Sequence, residues 1–409
     1  MTPIKIRLSF MMFLQFFVWG GWFVTLGTFM ASNLASSGAQ IGLAFGTQSW
    51  GAIIAPFIVG LIADRFFNAE RILAVLHLVG AALLYGMATA DDFSAFYPLV
   101  FGYMVLYMPT LALVNSVAFR QIDNPAKDFP AIRVWGTVGW IVAGLAISYI
   151  FAWDSQEAIQ EGMLRNTFLL SAGASALLGV YSFTLPATPP VTTSGESISL
   201  ASLVGADAFR MLKDKNFLIF FVASILICIP LAFYYQNANP FLSGVGVENP
   251  TGKMTLGQIS EVAFMLALPI FLARFGIKIT LIAAMLAWAL RYALFAFGDA
   301  DAGLWMLILG IALHGVCYDF FFVAGQVYTD AKAGPSHRSA AQGMITLATY
   351  GAGMLIGFMV AGWASDHYQD GDGVIWSHLW LLPCYIALAI TLLFAVSFKG
   401  DKIDNKPTA

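Results

Sequence analysis

The sequence predicts an all-α membrane protein of twelve transmembrane helices in two six-helix bundles, and three observations carry that expectation. Of 409 residues, 59% are hydrophobic and only 11% charged, with a mean hydropathy of +0.78; an average soluble domain carries roughly 25% charged residues. Twelve apolar stretches, each near the roughly 20 residues that span a bilayer, lie on either side of one polar linker. Lys and Arg concentrate in alternate loops, as cytoplasmic loops do.

In order along the chain, the first-half spans run near 8–32, 41–63, 71–90, 95–119, 130–152 and 167–186. Lys5 and Arg7 precede the first, which continues past Trp22 with no small-residue cleavage site; it reads as a retained helix and not as a signal peptide. A Pro/Ser/Thr-rich stretch from Pro186 to Ser199 interrupts the series, followed by a short amphipathic segment from Leu200 to Leu212. The second-half spans run near 215–243, 255–273, 278–298, 302–329, 339–365 and 375–397. The expected organisation is a first bundle over 1–186, a cytoplasmic linker over 187–213, a second bundle over 214–398 and a cytoplasmic tail over 399–409. Pro109, Pro230, Pro240 and Pro269 are candidate kinks. With both termini inside, 17 of the 20 Lys and Arg fall on the inner side; Arg165 and Lys253 lie outside and Arg291 within a span. Missing one helix would scramble that asymmetry.

The composition also excludes. No basic run suggests a nucleic-acid surface. Cys228, Cys317 and Cys384 sit singly in apolar segments without metal-ligand spacing, so they read as packing residues. No metal or cofactor is expected, no phosphate-binding loop suggests ATP-driven pumping, and no nucleophile constellation suggests an enzyme.

Glu261 and Asp319 stand out because they are acids inside apolar stretches, where an ionised group is costly and usually faces a cavity, a partner or a proton path. Gln258 precedes Glu261 by three residues, so amide and carboxylate share a helical face that can meet a polar solute; a buried structural hydrogen bond is the alternative. His314 and Tyr318 share a face one turn apart. Asp319 points about 100 degrees away and could instead form a structural ion pair with Arg291. On the fifth span Arg133, Thr137 and Trp140 form a stripe of cation, hydroxyl and indole, with Gly136 and Gly139 thinning the helix. Such a stripe can bind an aromatic heterocycle, or Arg133 can be a cytoplasmic anchor. Gln15, Trp19 and Trp22 repeat the pattern on the first span. The seventh span ends in Tyr234-Tyr235-Gln236-Asn237-Ala238-Asn239-Pro240, an amide-rich patch beside a proline that suits a solute or gate site, or an interfacial helix end. After the second span, Gly60, Asp64, Arg65 and Arg71 form a GxxxDR loop followed by a basic residue. That loop could latch one state of a transport cycle, or merely obey the positive-inside statistics.

The GxxxDR loop resembles the signature of the major facilitator superfamily. FLQFFVWGGW from Phe13, FPAIRVWGTVGW from Phe129, QISE from Gln258, ARFGIK from Ala273 and YDFF from Tyr318 together resemble its nucleoside:H+ symporter family, over essentially the whole chain. The resemblance implies an alternating-access importer of nucleosides in the bacterial cytoplasmic membrane, driven by protons, with substrate between two bundles. It implies that Arg133, Thr137 and Trp140 meet the substrate from one half and Gln258 and Glu261 from the other, with His314 and Tyr318 as aromatic contacts. Asp319 matches the family's intramembrane acid; desolvation favours a neutral acid, so Glu261 or Asp319 could carry the coupled proton, Glu261 first because it shares a face with Gln258. Tyr235 joins the substrate residues, although family members can present amides where this chain has Ala232 and Tyr235. A monomer is expected. A symporter for a sugar or another small polar metabolite is the alternative within the same fold, and a membrane sensor or enzyme the alternative outside it.

Overall fold

The computed structural model describes residues 2–58, 67–190, 206–334, 337–371 and 373–400. Nine of the described helices are long and apolar enough to cross a bilayer. The longest, Pro250–Phe297, is two helices joined at Gly276, whose φ of 72° is a left-handed conformation open to glycine at little cost; it supplies the eighth and ninth spans, and the turn falls where the sequence left a gap between them. Pro3–Gly20 and Arg165–Ser182 occupy the positions of the first and sixth spans. The chain is thus the all-α membrane protein that the sequence predicts.

Local chemistry places the helix ends. Asp92 caps Phe93–Arg120 by accepting the Ala95 N–H at 2.9 Å, and Asn124 caps Pro125–Leu145 with a proline at the first turn, where no N–H is needed. One expectation shifts: the first span breaks after Gly20 and resumes as Leu26–Asn33. The seventh span runs unbroken from Lys215 to Gly244, through Pro240, in keeping with its expected bounds of 215–243. The described part of the amphipathic linker segment, Ala206–Lys213, is a 3-10 helix. A short antiparallel pair, Gln369–Asp370 with Gly373–Val374, decorates the loop before the last span.

The chain sorts into two units, Met1–Ile198 with Tyr235–Thr255, and Ser199–Tyr234 with Leu256–Ala409. In the first unit the first span packs on the fifth, the second on the fourth and the third on the sixth. Small residues set the spacing. A Cβ on Gly139 would stand 2.2 Å from the Phe13 carbonyl oxygen, so only glycine lets the fifth span approach the first this closely. A cluster around Leu8, Met12, Leu73, Val114, Ile132 and Leu178 fills the unit's interior.

The hairpin Tyr235–Thr255 is tied into this unit by polar contacts. Asp154, 3% exposed, accepts the Thr251 backbone N–H at 2.9 Å and the Ser148 hydroxyl, while Ser148 Oγ accepts the Gly252 N–H at 2.6 Å. A carboxylate at a helix N-terminus satisfies otherwise orphaned N–H groups and meets the positive end of the helix dipole. Thr28 donates to Asn239 at 2.6 Å, and Asn239 donates to Thr251 at 3.0 Å.

In the second unit, Gly357 lies against Ala232 and the Cys228 carbonyl, Gly310 against Phe295, and Gly315 against Ser260. Those contacts pair the eleventh span with the seventh, and the tenth with both the ninth and the eighth. Trp288 with Phe321 and Phe322, and Tyr292 stacked on Trp380 at 5.6 Å, make an aromatic interior. The three cysteines are buried and free. Among the described residues three segments widen to π-helix, Ala146–Ile150, Asp319–Val323 and Leu347–Gly353, a register change that frequently marks functional positions.

Candidate functional site

The candidate residues divide between the units: Arg133, Thr137, Trp140 and Tyr235 belong to the first, and Gln258, Glu261, His314, Tyr318 and Asp319 to the second.

In the first unit the fifth-span stripe is half-buried throughout. The Arg133 guanidinium lies 4.1 Å above the Phe16 ring, a cation-π contact that holds its head against the first span. Trp140 meets Trp19 edge to face at 5.5 Å, and Gly20 makes that approach possible, since a Cβ there would touch the indole at 3.0 Å. Trp19 also packs on Tyr107 at 5.5 Å. The stripe predicted on the first span therefore divides: Trp19 joins the aromatic wall, Trp22 is wholly buried in the core, and Gln15 is a structural group.

Gln15 belongs to a network that the sequence did not reveal. Its Nε2 donates to Thr110 Oγ1 at 2.7 Å, the Thr110 hydroxyl donates to the Tyr107 carbonyl at 2.5 Å, and the Tyr107 hydroxyl donates to the Gln15 carbonyl at 2.7 Å. His77 sits 2.8 Å from Gln15 Oε1 through Nε2 and 3.0 Å from Ser175 Oγ through Nδ1. Donor accounting orients the set. Thr110 spends its one proton on a carbonyl, so it must accept from Gln15; Gln15 therefore turns its oxygen to His77, whose Nε2 carries a hydrogen. This buried network stands directly behind the Trp19–Tyr107 wall. The signal available in the sequence was two polar residues, Gln15 and His77, in otherwise apolar runs.

Tyr235 is half-buried and packs its ring edge on Phe23 at 6.1 Å. The neighbouring amides of Gln236, Asn237 and Asn239 are buried, and Asn239 is engaged by Thr28 and Thr251.

In the second unit Gln258 and Glu261 are both half-buried on one helical face. Glu261 Oε1 lies 3.6 Å from His314 Nε2. His314, 2% exposed, stacks on Tyr234 at 5.1 Å and on Tyr318 at 5.8 Å, and the Tyr318 and Tyr350 hydroxyls share a hydrogen bond of 2.5 Å. The eighth and tenth spans touch here: the Gly315 N–H donates to Ser260 Oγ at 2.9 Å. Carboxylate, amide, imidazole and phenol thus converge, a set that can hydrogen-bond hydroxyls and the edges of a heterocycle.

The proposed pairing of Asp319 with Arg291 is not formed. Arg291 turns instead to His314, Tyr234 and the Gly310 carbonyl. Asp319 is 0% exposed, opens the π-segment of the tenth span, and has no hydrogen-bond partner on either carboxylate oxygen among the described residues. The physical reason is rotation, because one residue of helix carries Asp319 away from the face on which His314 meets Arg291. Gly60, Asp64 and Arg65 of the expected latch lie outside the described residues; Arg71 is exposed, 4.0 Å from Glu70. Among the described residues no cluster of His, Cys, Asp and Glu could hold a metal ion.

A family model described as nucleoside H+ symporter matches residues 2–403. YegT of Escherichia coli (strain K12), a nucleoside transporter by its name, is 44% identical, over 98% of this chain and 95% of its own. The xanthosine permease of the same organism is 35% identical over 98% of each chain. The crystal structure of the nucleoside transporter NupG superposes with a TM-score of 0.87 at 31% identity, covering 98% of this chain and 100% of that one.

Proposed function

The chain belongs to the nucleoside H+ symporter family, and from that premise we propose that it carries a nucleoside into the cell together with a proton, across the bacterial cytoplasmic membrane and with both termini inside. It is a carrier, without chemical change to the solute. Arg133, Thr137 and Trp140, backed by Trp19, act on the base by hydrogen bonding and stacking during passage. Gln258, Glu261, His314 and Tyr318 supply donors and acceptors for ribose hydroxyls and base edge, and Tyr235 adds an aromatic contact. The loop containing Gly60, Asp64, Arg65 and Arg71 latches one state of the cycle.

The observation that carries proton coupling is Asp319, buried completely and without a hydrogen-bond partner among the described residues. A desolvated, unpaired carboxylate costs several kcal/mol, and taking up a proton removes that cost. Burial of the Asp319 side chain and possession of a proton therefore go together, which is the linkage a symporter needs. Glu261 is the second coupling group, half-buried beside the solute-facing Gln258.

Uptake of labelled uridine, adenosine and xanthosine into vesicles, with and without an imposed proton gradient, tests the reading. The wild type is expected to accumulate a nucleoside only with the gradient, and excess free ribose or glucose should not compete. Asp319→Asn is expected to keep nucleoside exchange while losing gradient-driven accumulation. Full gradient-dependent accumulation by that variant would remove Asp319 from coupling; competition by free sugar alone would overturn the nucleoside reading.

A further inference from the structure

Arg291 is a permanent cation, since guanidinium is not deprotonated in proteins, and it is 0% exposed inside the ninth span. Among the described residues no carboxylate touches it directly. Its Nε donates to the Gly310 carbonyl at 2.9 Å, its guanidinium carbon lies 3.6 Å from the centre of the Tyr234 ring, and its NH1 lies 3.2 Å from His314 Nδ1. A charge in this setting needs a counter-ion nearby or it destabilises the helix that bears it.

The contact with His314 fixes a proton. Guanidinium nitrogens only donate, so Nδ1 must be the acceptor and the ring hydrogen of neutral His314 must reside on Nε2. That nitrogen is the one 3.6 Å from Glu261 Oε1, and the ring is held in place by Tyr234 on one side and Tyr318 along the helix. The order is therefore cation, oriented N–H donor, carboxylate. We propose that Arg291 is the positioning residue of the Glu261 site: it imposes the Nε2–H tautomer on His314 and serves, through that ring, as a countercharge that makes Glu261 harder to protonate than Asp319.

Two consequences follow. His314 is a donor to Glu261 or to a solute acceptor beside it, and not a proton carrier, because a second ring proton would sit on Nδ1 facing the guanidinium. The proton travelling with the solute falls chiefly to Asp319, which stands outside this chain of contacts. Among the described residues, the titratable and charged groups around the cluster include Tyr234 from the seventh span, Arg291 and Tyr292 from the ninth, His314, Cys317 and Tyr318 from the tenth, with Asp319 one residue further on, and Tyr350 from the eleventh, bonded to Tyr318; among them Arg291 is the fixed charge.

The inference rests on Glu261 being a functional group of the proposed symporter, so its test uses a readout that needs no substrate. Infrared difference titration of the purified protein, with Glu261→Gln to identify the Glu261 band, gives the midpoint at which that carboxylate protonates. Arg291→Met is expected to raise the midpoint by about one pH unit, the lower end of what a nearby opposite charge contributes. His314→Asn keeps an acceptor for Arg291 but removes the donor toward Glu261, whereas His314→Gln supplies a donor in the Nε2 position. The Asn variant should raise the midpoint and weaken nucleoside binding about tenfold, as loss of a hydrogen bond to a charged group does, and the Gln variant should restore both. Midpoints unchanged in Arg291→Met and His314→Asn would overturn the proposal. Should Arg291→Met fail to fold, equal midpoints in the Asn and Gln variants would do so. A wild type that binds no nucleoside would instead overturn the proposed function, leaving the infrared midpoints to judge Arg291.

Discussion

Gly315 has no side chain because the eighth span leaves no room for one: a Cβ would stand 2.5 Å from Ser260 backbone atoms and 2.7 Å from the Glu261 nitrogen. Gly315→Ala should therefore cost on the order of 1–3 kcal/mol through overpacking and displace Glu261, lowering both the thermal unfolding midpoint in detergent and nucleoside uptake. Gly343 offers the contrast, a helical glycine with open space around its missing Cβ. There alanine should raise stability by roughly 0.5–1 kcal/mol, the helix cost of glycine, and leave uptake unchanged. At this scale the sequence was partly legible. Gln258 and Glu261 share a helical face, as their spacing requires, and both acids lie inside spans, as their apolar surroundings require. The Asp319–Arg291 pair failed because helical phase says where a side chain does not point without naming what it meets. His77 escaped notice because its partners are 62 and 98 residues away, a separation that no local pattern encodes.

Helices here are placed by hydropathy and finished by their ends. Asp214 shows how: its carboxylate accepts the Phe217 N–H at 3.0 Å at the start of Lys215–Gly244 and binds Lys332 Nζ at 3.0 Å. The backbone hydrogen bond first, and Lys332 second, hold Asp214 below the usual carboxylate range. A carboxyl lowered on folding contributes stability that is present above its unfolded value, about 3.9, and is lost as pH falls through the lower folded value. Thermal unfolding of the wild type against Asp214→Asn should therefore show a gap at neutral pH that closes below about pH 4. Because Asp214 is partly exposed, that gap will be small and will shrink further in high salt. Hydropathy located the spans, and the gap between the eighth and ninth coincides with the turn at Gly276. The break after Gly20 and the three π-segments were not legible, since shifting a hydrogen bond by one residue leaves composition unaltered. The seventh helix does continue through Pro240, as the expected span of 215–243 has it, since a span's neighbours can satisfy what proline leaves open.

For the whole molecule, hydropathy and charge asymmetry were enough to show a multi-pass carrier, and scattered motifs were enough to show its family. What they did not show is that Tyr235–Thr255 sorts with the first unit. The clamp of Asp154 and Ser148 on the start of the eighth span makes that arrangement costly to undo. Asp154→Ala is expected to leave the Thr251 N–H and the Ser148 hydroxyl without their carboxylate acceptor and to lower stability by about 1–3 kcal/mol, measured as the unfolding midpoint. The same clamp has a bearing on how the protein is made. Asp154 meets Thr251 across 97 residues and Thr28 meets Asn239 across 211, so the first unit cannot be completed when its own six spans have been synthesised. A nascent chain arrested before Thr251 should hold a protease-sensitive first unit, and one arrested after the eighth span has entered the bilayer a resistant one. Biogenesis of the first half thus waits on the second, and the ribosome must deliver eight helices before six are finished.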